Sequence, residues 1–261
     1  MDYHDKIAVV TGANSGIGEA TAVRLAGMGA TVAVVGHRAG SADHVVDQIV
    51  RADGAALSLA ADVGDPDAVE QLFSEIGERL GRVDLVVANA GINGAWAPLE
   101  ELGWQDWQQT ITVNLGGTFL TVKHALPLLK EAGGGSVVIT ASVNGTRMFS
   151  NSGASAYAAS KAAQVAFAKS TAVELARHSI RVNVVCPGSV ETEINDNTEQ
   201  RDTDGLHVPV EYPEGQIPLT GTRSARAEQV ADLICFLGSD AASHITGTEV
   251  WIDGGQSLLA G

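Results

Sequence analysis

The chain has little from which to build a disulfide framework or a metal cluster. Its 261 residues include two cysteines, and the seven histidines show no HxxxH or HExxH spacing; no CxxC occurs either. A metal site is therefore not expected. Cys186 in VVCPG and Cys235 in LICFLG lie in apolar runs, as buried thiols in a reducing compartment do, so the cytoplasm is the expected location. No stretch of about 18 consecutive apolar residues exists to span a bilayer, and no charged segment leads into an apolar one as in a targeting peptide. Positive charge is scarce as well: 16 Lys and Arg stand against 31 Asp and Glu, a net charge of −15. Such a surface repels phosphate backbones and anionic lipids, which argues against nucleic-acid or membrane partners.

What is present is an alternation. Short apolar or β-branched runs at 7–10, 31–35, 56–60, 85–88, 136–140, 181–185 and 249–252 read as strands. Amphipathic segments at 18–28, 43–52, 68–80, 104–130, 155–178 and 227–237 read as helices between them. Strand–helix alternation predicts one α/β domain over residues 1–261, with a seven-stranded parallel sheet covered on both faces. Ligands of such sheets bind at the carboxyl ends of the strands. Residues 190–226 break the rhythm with three prolines and a run of acidic side chains, and are expected to form a lid at that rim.

Tyr157 and Lys161 are four residues apart in the helical SAYAASKAA, which puts a phenol and an ammonium on one face. A positive charge there favours the phenolate and suits the tyrosine to proton transfer. Near the start, the first strand runs into Thr11-Gly12-Ala13-Asn14-Ser15-Gly16-Ile17-Gly18 and then a helix. Glycines at 12, 16 and 18 let backbone amides approach a pyrophosphate at the positive end of that helix. The second strand ends in Gly36-His37-Arg38, with no Asp or Glu to bond an adenosine ribose. Arg38, with His37, is suited to a 2′-phosphate. NADP(H) is therefore favoured over NAD(H).

TGANSGIG, the NAG of Asn89, Ala90 and Gly91, then Asn114, Ser142, Tyr157 with Lys161, and Pro187-Gly188 occur together and in order. This set resembles the short-chain dehydrogenase/reductase family, in its compact single-domain branch, over essentially the whole chain. The resemblance implies a doubly wound, Rossmann-type three-layer sandwich. It also implies an NAD(P)(H)-dependent oxidoreductase that interconverts a carbonyl and a secondary alcohol. Tyr157 would be the acid/base, Lys161 its pKa-lowering partner and ribose ligand, and Ser142 the group that bonds the substrate oxygen. Asn114 would kink the long helix and hold a water leading from Lys161. Asp62 and Val63 would meet the adenine, Asn89 would steady the glycine loop, Val190 would line the cofactor site, and the Thr192 hydroxyl would bond the carboxamide. The fifteen residues from Ser142 to Tyr157 exceed the family's usual interval, which leaves Ser155 as a competing partner for the tyrosine.

The substrate is expected among Asn93, Trp96, Asn144, Phe149 and Glu191, with Arg147 and Met148 adding to the wall. The alternatives are a 3-oxoacyl-[acyl-carrier-protein] reductase and a sugar or polyol dehydrogenase. An acidic carrier needs a basic docking patch, which here would have to come from Arg147, Arg177 and Arg181. A catalytically silent cofactor-binding regulator is the non-enzyme alternative, but it would be expected to lack one of the four catalytic groups, and all are present. The resemblance further implies a homotetramer, or a homodimer, formed through the helices at 104–130 and 155–178.

Overall fold

A computed structural model describes residues 1–192, 198–203, 205–206 and 212–260. The rest of the acidic run, including Glu193, Asp196, Asp204 and Glu211, lies outside the described residues. In chain order the elements begin β1 (Ile7–Thr11), α1 (Gly16–Gly27), β2 (Thr31–Gly36), α2 (Asp43–Arg51), β3 (Ala55–Ala60), α3 (Pro66–Leu80) and β4 (Leu85–Ala88). A short β5 (Ala95–Trp96), α4 (Trp104–Ile111), α5 (Gly117–Glu131), β6 (Gly135–Thr140), α6 (Ser155–Leu175) and β7 (Ile180–Pro187) follow. β8 (Glu199–Gln200), α7 (Ala227–Gly238), β9 (Glu249–Ile252) and α8 (Gln256–Ala260) complete the order.

Seven strands form one sheet in the order β3-β2-β1-β4-β6-β7-β9, every pair parallel. The central strands are continuous apolar runs because both their faces are covered: LVVA of β4 is buried at every position. One core layer packs Val69, Phe73 and Ile76 of α3, Leu129 of α5 and Ala168 of α6 against one face. Leu25 of α1, Ile49 of α2 and Ile234 of α7 cover the other. The chain order reverses between β1 and β4, so the carboxyl ends of these strands open a crevice between the two halves.

Local signals explain the elements. Asp65 caps α3, its Oδ1 accepting from the amides of Asp67 at 2.9 Å and Ala68 at 3.3 Å, with Pro66 in the first turn. The segment expected to be one helix over 104–130 is instead interrupted by a π turn, Thr112–Gly116, between α4 and α5. A second difference is a two-stranded parallel ribbon, β5 with β8, pairing Ala95 with Glu199 and Trp96 with Gln200. It ties the described part of the 190–226 segment to the loop after β4. Arg201 fixes that ribbon, reaching Asp106 of α4 at 2.7 Å and Glu199 at 2.8 Å. Among the described residues no helix is long and apolar enough to cross a membrane.

Candidate active site

A cleft of about 510 Å³ lies over the carboxyl ends of β1, β4, β6 and β7. Its lining includes Gly12, Asn14, Ser15, Gly16, Ile17, His37, Asn89, Ala90 and Gly91 on one side. Ser142, Asn144, Tyr157, Lys161, Asn93 and Trp96 line it too, as do Pro187, Gly188, Val190 and Thr192. Stretches at 12–17, 37, 89–96, 140–161, 187–192 and 256 thus meet at one crevice.

The glycine turn is fixed by sterics. Gly12 has φ +63°, and a Cβ on it would lie 2.8 Å from the Ala90 Cα. A Cβ on Gly18 would collide with the Gly12 carbonyl oxygen, so α1 can begin hard against the turn only with glycine there. Asn89 holds the arrangement from β4, its Nδ2 donating to the carbonyls of Thr11 and Gly12, each at 3.2 Å. The Asn89 and Ala90 amides donate to Thr11 Oγ1 at 3.1 and 3.2 Å. Ser15 makes no side-chain cap on α1, so the first amides of that helix remain available at the cleft.

On α6, Tyr157, Ser160, Lys161 and Gln164 share the buried face, as their i, i+3, i+4 and i+7 spacing requires. Lys161 Nζ lies 5.5 Å from the Tyr157 ring centroid and donates to the Thr140 carbonyl at 2.9 Å. An ammonium has three N–H bonds, so two remain for another partner. Burial lowers the Lys161 pKa to about 8, with Cys186 opposing. Burial likewise raises the Tyr157 pKa, while a hydrogen bond with Ser142 pulls it down. The expectation that the ammonium sets the tyrosine's pKa does not hold in the free protein, because desolvation dominates both groups.

Ser142 follows β6 and is the tyrosine's partner. Its Oγ accepts from the Asn144 amide at 3.1 Å, which leaves its own proton to donate towards the phenol. Ser155, the competing candidate, instead lines a neighbouring hollow of about 440 Å³. Asn114 sits in the π turn, fully buried, where its side chain clamps both backbone groups of Ile92, accepting from N at 2.8 Å and donating to O at 2.9 Å. Its amide also donates to Ser160 Oγ at 3.0 Å. The Asn114 backbone carbonyl accepts from Thr118 Oγ1 at 2.7 Å and from Gln164 Nε2 at 3.0 Å.

Several expected contacts lie elsewhere. Arg38 is exposed beside a tight turn with Ser41 and is not part of the cleft lining, whereas His37 is. Asp62 spends a carboxylate oxygen on the Gly64 amide at 2.9 Å, and Val63 is buried against Gly117. Both are outside the lining. Phe149 is 71% exposed and lines the neighbouring apolar hollow. Glu191 is exposed and outside the cleft lining, its amide donating to the Ala225 carbonyl at 2.9 Å. Arg147 stacks on the Trp251 indole, 3.5 Å from its ring centroid. Met148 lines the cleft as expected, and Asn151, Ser189 and Gln256 line it without having been anticipated. Asn151 follows from a local pattern, donating from Nδ2 to Asn144 Oδ1 at 3.0 Å, but no sequence signal marks Gln256.

The glycine cradle, the open helix terminus and the spare Lys161 donors fit a nicotinamide dinucleotide, and a proton-transferring phenol beside it suits alcohol–carbonyl redox chemistry. That is the class the fold and cleft define. A family model described as "Enoyl-(Acyl carrier protein) reductase" matches residues 12–257. The cis-4-hydroxycyclohexanecarboxylate dehydrogenase of Sinomonas cyclohexanicum is 40% identical over 257 residues, 98% of each chain. A crystal structure of a 3-ketoacyl-ACP reductase from Sinorhizobium meliloti 1021 superposes with a TM-score of 0.94 at 50% identity, covering 97% of this chain and 99% of that one. A 7α-hydroxysteroid dehydrogenase complexed with NADH and 7-oxo glycochenodeoxycholic acid superposes at 0.85 with 28% identity, covering 97% and 95%. The chain belongs to the short-chain dehydrogenase/reductase family and is an oxidoreductase acting on alcohols and carbonyls.

Proposed function

We propose that the protein interconverts a ketone and a secondary alcohol carried on an apolar ring, using Tyr157 as acid/base, and that it prefers NADP(H). The observation that carries the chemistry is the convergence of Ser142, Tyr157 and Lys161 on one cleft. A nicotinamide bound there would supply hydride exchange with the carbon that bears the substrate oxygen. Tyr157 takes the hydroxyl proton in oxidation and gives a proton to the carbonyl oxygen in reduction. Ser142 Oγ holds that oxygen while its charge changes. Lys161 offers its two spare N–H bonds to the ribose hydroxyls and puts positive charge beside the phenol. Asn114 positions the loop after β4 through Ile92. Gly12, Gly16, Gly18 and the α1 terminus take the pyrophosphate, and Val190 and Thr192 border the carboxamide.

The ring preference rests on the neighbouring hollow, which shares Asn144, Met148 and Asn151 with the cleft and is walled mainly by Ala97, Leu99, Phe149, Leu206 and the alanines of α6, with Ser155 among them. An apolar body fits there better than a polyol. The cyclohexane and steroid relatives act on oxygen functions borne by rings, which supports the same reading. Resemblance to a ketoacyl-carrier reductase supports the rival. Against it, the three arginines that would dock a carrier do not cluster. Arg181 caps the carbonyls of Leu237 and Ser239 at the amino end of β7, and Arg177 lies just before that strand. Arg147 stacks near the other end, on Trp251, which pairs with Cys186 about 17 Å along the strand from Arg181. Turnover of cyclohexanone and of a β-ketoacyl thioester, each with NADPH and NADH, decides between them. Faster reduction of the ring ketone is expected; preference for the thioester would overturn the reading.

NADP(H) is favoured because no carboxylate ends β2 and Arg38, with no ion pair among the described residues, faces solvent beside His37. Arg38→Ala is expected to raise KM for NADPH by about tenfold or more and to leave KM for NADH nearly constant. Equal KM values for the two cofactors in the unaltered protein would remove the preference. The 190–226 segment serves as the substrate lid of a single domain, supported by the β5–β8 ribbon and by the Asn93 Nδ2 to Thr198 Oγ1 bond at 2.7 Å. We also infer a cytoplasmic homotetramer, for which exposed Trp104, Phe119 and Val173 on α4, α5 and α6 provide apolar faces.

A further inference from the structure

Gln256 comes from the far end of the sequence, yet it lines the cleft and is only 9% exposed. Asp253 starts its short helix by accepting from the amides of Gly255 at 3.0 Å and Ser257 at 2.8 Å. That turn delivers Gln256 Oε1 to the Ser189 amide, which donates to it at 2.8 Å. The bond fixes the orientation of the side-chain amide, because a backbone N–H needs an acceptor opposite it. Nε2 is therefore the end left over. It makes no hydrogen bond among the described residues and is not sealed in the interior, so it faces the cleft that the residue lines.

The surroundings put this donor beside the turn that follows Ser142. The Trp251 indole N–H bonds Thr146 Oγ1 at 3.1 Å, which packs β9 onto the turn after Ser142. The Val143 amide bonds the Pro187 carbonyl at 2.9 Å, and the Gly188 amide bonds the Ile252 carbonyl at 3.1 Å. On the outer side the Leu219 amide bonds the Gly254 carbonyl at 3.0 Å, so Gln256 stands where the returning end of the 190–226 segment meets the cleft.

We propose that Gln256 is a specificity-determining residue: its Nε2 donates to a second acceptor oxygen of the substrate, remote from the reacting carbon. This rests on the ring-ketone reading and adds to it that the preferred ring carries two oxygen functions. A buried donor aimed into a site discriminates against an analogue that leaves it unpaired.

Gln256→Glu tests this directly, because a carboxylate still accepts from the Ser189 amide but has no N–H to offer. The probes are cyclohexane-1,4-dione and cyclohexanone, reduced with NADPH. The ratio of kcat/KM for the dione over the monoketone is expected to fall at least tenfold in the variant. Gln256→Met, which lacks both the donor and the acceptor for Ser189, is expected to lower the same ratio. NADPH binding and thermal unfolding of each variant confirm an intact cleft. An unchanged ratio in Gln256→Glu, with both ketones slowed alike, would overturn the inference and leave Gln256 as a prop for Ser189. If the unaltered protein reduces neither ketone, the parent reading falls and this inference with it.

Discussion

Tyr157→Phe is expected to lower kcat by about a hundred- to ten-thousand-fold while dinucleotide binding persists. The substitution keeps the ring packed in its buried position, 8% exposed, and removes only the hydroxyl that faces Ser142. Nothing in the glycine turn depends on that hydroxyl, so fluorescence titration with NADPH should give a Kd close to that of the unaltered protein. The pH dependence has a definite sign. Burial raises the tyrosine's pKa, with Ser142 opposing, so the free protein carries a protonated phenol at neutral pH. Reduction consumes that proton and should slow as pH rises; oxidation requires its removal and should quicken. Unchanged turnover in the phenylalanine variant would mean that another group handles the proton, and a protein without turnover in either form would be a sensor.

Lys161→Met is expected to abolish useful turnover and, unusually for a catalytic-site change, to stabilise the fold. Lys161 is 3% exposed and its pKa falls from 10.5 to about 8 because burial disfavours the ammonium. Below about pH 8 the folded and unfolded chains both hold the proton, so the full cost of the buried charge is present. Between about 8 and 10.5 the unfolded chain binds a proton that the folded one has released, and stability rises with pH. At neutral pH the cost is on the order of 3 kcal/mol, from about 1.4 kcal/mol per pKa unit. The Thr140 bond lost in the variant offsets about 1 kcal/mol of it. Thermal melts at pH 7 should therefore show Lys161→Met melting roughly 5 °C higher. The gap should narrow as pH is raised through that window. A variant that melts lower at neutral pH would show that the ammonium is better solvated than its burial implies.

The sheet was legible because its strands are long apolar runs with both faces buried, and such runs survive in any context. Predicted edges of the seven strands agree with the structure to within two residues. The chemistry on α6 was equally legible, since Tyr157 and Lys161 are locally spaced and a helix converts spacing directly into geometry. What escaped depends on tertiary routing. β5 and β8 contribute two residues each, too few to carry a period, and pair only because the loop after β4 meets the 190–226 segment. Gln256 gives no local sign because its partner, Ser189, is 67 residues away and reached across β7 and β9. The pKa pattern was misread for the same reason: sequence shows that an ammonium neighbours a phenol, but not that both are stripped of water.

The π turn at Thr112–Gly116 has a consequence for how this protein tolerates change in length. A π turn closes on the fifth residue rather than the fourth, so it takes up one additional residue and leaves the helix that follows in nearly the phase a regular helix would give it. Leu129 therefore stays on the sheet while the widened turn carries Asn114 to Ile92. Removing another residue of the turn would restore regular hydrogen bonding and keep the inward face of α5 where it is. Such a deletion would spare the core and loosen the clamp on the loop after β4.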